Sequence, residues 1–144
     1  MFKTLAAAAA LSLAALSVAA EGVTHYLAIH VDQADAQVMN MALNNAANVK
    51  SHYESIGDTA IIEIVAYGPG LTMFVEGKSP VADRIATMAL EDENISFAAC
   101  GNTHRAMSAK AGADVALLSE ATIVPSGVVR LMELQEQGYS YVRP

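Results

Sequence analysis

The stretch Ile95–Ala106, "ISFAACGNTHRA", decides how the rest of the chain is read. Its first half is a short apolar run that ends in Cys100, the only cysteine among 144 residues. Its second half carries Asn102 and Thr103, either of which can cap a helix, and leads into "NTHRAMSAKAG". A buried strand that runs straight into a helix is the repeating unit of a parallel α/β sheet. The same unit recurs on both sides.

Upstream, "VTHYLAIHV" (Val23–Val31) reads as a strand. In the segment after it, Val38, Ala42, Ala46, Val49, Tyr53 and Ile56 recur at steps of three and four, so they share one helical face. Gly57 ends that helix. "TAIIEIVAYG" (Thr59–Gly68) is a β-branched second strand, and "PGLTMFVEGK" is a loop with about one helical turn. Ser79 and Pro80 open a second helix that buries Val81, Ile85 and Met88. Downstream, Gly112 stops the third helix and a fourth strand is expected at Ala121–Val124. Ser126 caps a last helix through Gln137, ended by Gly138, and "YSYVRP" is a short fifth strand. Strands separated by helices imply a three-layer α/β/α fold with a mainly parallel sheet of about five strands.

Residues 1–20 stand outside this pattern. Lys3 precedes an apolar and small run from Leu5 to Leu16, and Val18 and Ala20 fit the small-residue rule for a signal-peptidase cut. The expectation is a secretory signal peptide cut before Glu21, and residues 21–144 as one domain, periplasmic or secreted. Lys3 leaves with the peptide, so 7 basic residues face 15 acidic ones, a net charge of −8. Such a surface repels phosphate backbones, which argues against nucleic acid as a partner. The mature chain has no second long apolar run, so no membrane association is expected. A single cysteine in an oxidising compartment is buried, paired with another chain, or reactive.

The fold class locates the chemistry. Ligands of open α/β sheets sit beyond the carboxyl ends of the strands. His30, Val31 and Asp32 should meet there with Tyr67, Gly68, Pro69 and Gly70, with Cys100, Gly101, Asn102 and Thr103, and with Pro125, Ser126 and Gly127. A cysteine just before a helix start is favoured as a thiolate, and Gly101 leaves room beside it. Several familiar chemistries are absent: there is no CxxC, no Walker sequence and no GxSxG elbow. Gly68-Pro69-Gly70 begins like a dinucleotide fingerprint, but Met73 stands where the third glycine belongs. His30 and Asp32 are only two potential metal ligands, too few for a site. No metal or other cofactor is called for.

Each of these residues also has a plainer reading. Cys100 is either a packed core thiol or a reactive one. Asn45 and Asn48 lie either on a solvated helix face or against a neighbouring loop or partner chain. Gly68-Pro69-Gly70 can be simply the turn after strand two. His104 is either a solvent-facing residue of a first helical turn or a base beside Cys100.

"HVDQAD", "ALNNAANV" with Asn45 and Asn48, "VAYGPGL" and "FAACGNT", in this order and spacing, resemble the DsrE/DsrF-like proteins. The resemblance spans about residues 25–141. It implies a five-stranded parallel sheet in an α/β/α domain, assembly as trimers or hexamers, and in some members a persulfide carried on a cysteine at the position of Cys100. The expected function is therefore an exported sulfur carrier that exchanges sulfane sulfur with a donor or acceptor protein. The alternative is a non-catalytic module for small-ligand binding or oligomeric assembly, in which Cys100 is structural.

Overall fold

A computed structural model describes residues 22–144. The expected signal peptide and its cut before Glu21 lie outside the described residues. The elements are β1 (Thr24–Val31), α1 (Ala36–Ser55), β2 (Thr59–Ala66), a 3-10 helix (Gly68–Phe74), α2 (Ala82–Glu91), β3 (Ile95–Cys100), α3 (Gly101–Ala111), β4 (Ala121–Val124), α4 (Gly127–Glu136) and β5 (Ser140–Val142). The five strands form one parallel sheet in the order β4-β3-β2-β1-β5. This is the expected α/β fold with helices on both sides.

The order of the strands dictates how the helices divide. From β1 to β4 each crossover steps one strand in the same direction. Right-handed crossovers then put α1, α2 and α3 on one face. The chain returns from β4 across the whole sheet to β5, and the same handedness puts α4 on the other face.

The three-helix face holds the main core. Leu27, Ile29, Val31, Ile62, Ile64 and Phe97 point into it from the strands and meet Met39 and Leu43 of α1, Phe74 of the 3-10 helix and Ile85 of α2. Each such fully buried side chain contributes about 1.5–3 kcal/mol. Phe74 and Phe97 meet edge-on with centroids 5.9 Å apart. The α4 face has a smaller cluster, Ala28, Val65 and Ala98 beneath Leu131 and Leu134. Short side chains on the strands let α4 lie close to the sheet. That face also holds a buried carboxylate, Glu63 in mid-strand, gripped by both Nε and Nη2 of Arg130 at 2.7 and 2.6 Å.

Some local expectations change. On α1 the fully buried residues are Met39, Ala42, Leu43 and Ala46, while Ile56 lies beyond the helix and is exposed. The buried stripe is thus turned toward Met39 and Leu43, larger side chains than Val38. Ser79 accepts the Val81 N–H at 3.3 Å, but α2 begins only at Ala82, so the Ser-Pro pair forms the turn before the helix. Neither Asn102 nor Thr103 caps α3: the helix starts at Gly101, and Cys100 itself occupies the cap position. Ser126 occupies the cap position of α4 without a side-chain cap bond. Gly112 and Gly138 take left-handed φ angles at the predicted stops, 69° and 93°.

Candidate functional site

β3 and β4 are neighbours, yet the chain leaves β3 for α3 on one face and leaves β4 for α4 on the other. Adjacent strands whose exits diverge in this way open a crevice at their carboxyl ends. Cys100, the last residue of β3, stands at this switch point. The first residue of each flanking helix is a buried glycine. A Cβ on Gly101 would lie 2.9 Å from the Val124 carbonyl oxygen, and one on Gly127 would lie 3.1 Å from the Cβ atoms of both Cys100 and Tyr67. Only glycine fits at either start: α3 closes on the end of β4 at Gly101, and α4 closes on Cys100 and Tyr67 at Gly127.

The thiol is 4% exposed but belongs to neither apolar cluster. Its surroundings are hydrogen-bond donors: the Thr103 hydroxyl and the backbone N–H groups of Gly127, Thr103 and Asn102. Burial is the largest single influence and pushes the thiol up. The four donors together outweigh it and hold Cys100 below the ordinary thiol range. Two helix starts on opposite faces thus meet at one cysteine, which occupies the cap position of α3 and packs against Gly127 of α4, and helix starts favour negative charge. The sequence places Cys100 next to α3; the contribution of Gly127 depends on the strand order, which no local motif encodes.

The Gly68 loop touches the same corner. Gly68 has φ +54° and donates its N–H to Thr103 Oγ1 at 2.9 Å. Gly70 packs on the end of β1, where an added Cβ would lie 2.2 Å from the Val31 carbonyl oxygen. Pro69 is exposed between them. The three residues form the start of the 3-10 helix rather than a free turn. Asn102 bonds to the guanidinium of Arg105.

His30 and Asp32 sit two strands away from Cys100, at the end of β1. His30 Nδ1 bonds to the Tyr141 hydroxyl at 2.7 Å, and its ring lies 4.4 Å from that of Tyr67. His30 is buried, and Nε2 has no partner among the described residues. Burial lowers its pKa, Asp32 opposes this and Arg143 assists. Asp32 pairs with Arg143 at 2.9 Å. Tyr141 and Arg143 belong to the C-terminal segment, which the sequence reading left without a role at this edge. Tyr67 links this cluster to Cys100, since it touches His30 on one side and Gly127 on the other.

Two other candidates lie elsewhere. His104 Nε2 donates to the Val115 carbonyl at 2.7 Å, so its side chain ties α3 to the following loop and is not a base for Cys100. Asn45 and Asn48 lie about 14 and 18 Å along α1 from its start, away from the strand ends. Asn45 is half-buried and Asn48 exposed. The polar contact between α1 and α2 is made instead by Asn40 and Asn44, whose side-chain oxygens accept from Arg84 at 2.5 and 2.8 Å. A cleft of about 290 Å³ at the opposite edge of the sheet is lined by His25, Tyr26 and Tyr53. His25 there stacks on Tyr53 and bonds to Asp58 at 3.0 Å, so its chemistry is already satisfied.

No family model matches the chain, and no curated protein does. Among solved structures the chain is similar to a protein of unknown function, MTH1491 from Methanobacterium thermoautotrophicum. The two share 27% identity and a TM-score of 0.70, over 83% of this chain and 99% of that one.

Proposed function

We propose that this protein is an exported, DsrE-like carrier of sulfane sulfur that holds the sulfur as a persulfide on Cys100. The observation that carries the reading is the convergence of two helix starts on a single buried cysteine. This environment favours an anion on sulfur, whether thiolate or persulfide. In loading, the Cys100 thiolate attacks the outer sulfur of a donor persulfide. The donor's S–S bond breaks, its electron pair leaves with the donor thiolate, and Cys100 becomes a persulfide. Unloading is the same exchange, with an acceptor thiolate attacking the outer sulfur and Cys100 leaving. Neither step changes the net oxidation state, so no cofactor is needed. Near-complete burial of Cys100 requires that the packing around it open to admit the donor.

The second reading is an assembly or binding module with a structural cysteine. It draws on an apolar surface beside the crevice: Ile123, Val128, Val129 and Met132 are all about half exposed. Such a surface suits a homo-oligomer, with a trimer or hexamer as the assembly the resemblance implies. Periplasmic or secreted localisation belongs to both readings. No helix among the described residues is long and apolar enough to cross a membrane.

Mass spectrometry of protein isolated from its own compartment tests the proposal. The expected chain begins at Glu21 and carries one extra sulfur atom on Cys100, lost on treatment with a reductant. Native spectra of the same sample should give a multiple of the protomer mass. Unmodified Cys100 that also fails to take up sulfur from a persulfide donor in vitro would leave the module reading standing.

A further inference from the structure

β5 is a short edge strand, and its backbone grip is small. Ser140, Tyr141 and Val142 pair with Leu27, Ala28 and Ile29, and all three are exposed. Two side chains of this segment reach the head of β1. The Tyr141 hydroxyl meets His30 Nδ1 at 2.7 Å, and Arg143 holds Asp32 at 2.9 Å. Gly138, with φ +93°, forms the joint between α4 and this segment. Residues 140–143 are thus a strap along the outer edge of β1. Beneath it lies an imidazole poorly placed to carry charge. His30 is buried, its ring lies 4.4 Å from that of Tyr67 and 5.9 Å from that of Tyr141, and Nε2 has no partner among the described residues. A protonated imidazole donates from both nitrogens. Tyr141 can accept at Nδ1, but the Nε2 hydrogen would stay buried and unmatched. Lifting three exposed residues is a smaller event than opening the sheet, so the strap is the part that yields.

We propose that this strap is a latch released by acid: a proton taken up by His30 lifts residues 140–143 away from β1 and lets water reach the ring. The inference holds whether or not Cys100 carries sulfur. Charges around His30 nearly cancel. Asp32 on β1 favours the proton, while Arg143 on the strap pairs with Asp32 and opposes the proton. The phenols of Tyr67, after β2, and Tyr141, on β5, bring no charge near neutral pH. Glu63 on β2 is paired with Arg130 of α4, which also meets Glu133. Burial therefore decides, and it holds His30 below its ordinary value. Once lifted, the ring is hydrated and regains that ordinary value of about 6.5. Above it the latch is indifferent to pH. Below it the lifted form gains about tenfold in population per pH unit, until pH reaches the value of the closed form.

The experiment is hydrogen exchange by NMR on the full chain, corrected for the intrinsic pH dependence of exchange. It follows the amides shared by β1 and β5, with the His30 ring carbons titrated in the same sample. Wild type should lose protection there by about tenfold per pH unit below about pH 6.5, while amides between β2 and β3 keep theirs. His30→Gln can still bond to Tyr141 but cannot charge, so its protection should be flat across this range. Flat protection in wild type, or the same loss in His30→Gln, would overturn the proposal. If His30→Gln does not fold, Tyr141→Phe replaces it: the strap loses its tie to the imidazole, and the His30 midpoint should move up toward the ordinary value. An unmoved midpoint would equally overturn the latch. None of these readouts involves Cys100, so the failure of the latch and the failure of the carrier reading are separate results.

Discussion

On the face covered by α1, α2 and α3, the strands present Leu27, Ile29, Ile62, Ile64 and Phe97, large apolar side chains closed off from water. On the face covered by α4, the same strands present Ala28, His30, Glu63, Val65, Ala98 and Cys100. Both buried polar residues of the described chain, His30 and Glu63, lie on the second face, and so does the thiol. One helix cannot cover five strands, so this face remains thin enough for polar groups to be reached by partners or solvent at its margins. Stability is concentrated on one side of the sheet and chemistry on the other.

Three substitutions test that division. Phe74→Ala, on the thick face, should cost most, about 4 kcal/mol in urea denaturation, because Phe74 is fully buried and packs against Phe97. Arg130→Met, on the thin face, should cost about 2 kcal/mol by leaving the Glu63 carboxylate buried without its partner. The figure lies below that for a fully enclosed pair because the Arg130 side chain is 28% exposed. Adding Glu63→Leu to Arg130→Met should recover most of the loss. A larger loss for Arg130→Met than for Phe74→Ala would reverse the assignment of the two faces.

The smallest effect concerns His30. Its folded pKa is depressed by burial, so as pH falls the unfolded chain takes up the proton first. The penalty is absent above the unfolded value of about 6.5 and grows as pH falls from there toward the folded value, by about 1 kcal/mol per pH unit. Thermal melts across this range should show wild type losing stability relative to His30→Phe. Parallel curves would mean that His30 charges freely in the folded protein and that the thin face is wetter than its packing implies.

The alternation of strands and helices was legible because apolar period and turn residues are local signals. β4 at Ala121–Val124 and the stops at Gly112 and Gly138 follow the sequence residue for residue. Cys100 at a strand end was legible for the same reason. The crevice was not, because it depends on α4 crossing to the other face, a consequence of strand order. Gly127 reads as the start of a helix, and nothing around it announces that it packs against a cysteine 27 positions earlier. The Tyr141–His30 and Arg143–Asp32 contacts each span 111 positions and carry no local signature. Asn45 and Asn48 stand out in the sequence within "ALNNAANV", whereas Asn40 and Asn44 of the same helix meet Arg84, which a single helix cannot reveal.

The place of β5 bears on how the protein is made. β1 pairs with β2, the next strand in the chain, but its other edge is filled by Ser140–Val142, more than a hundred residues later. Until that segment emerges, Leu27, Ala28 and Ile29 present unpaired backbone to any passing strand. A half-made chain is therefore sticky at its very first strand, and parallel pairing over such a separation is slow. Expression at low temperature or with a holding chaperone should serve this chain better than rapid overproduction, since the hazard ends only when its fifth strand arrives.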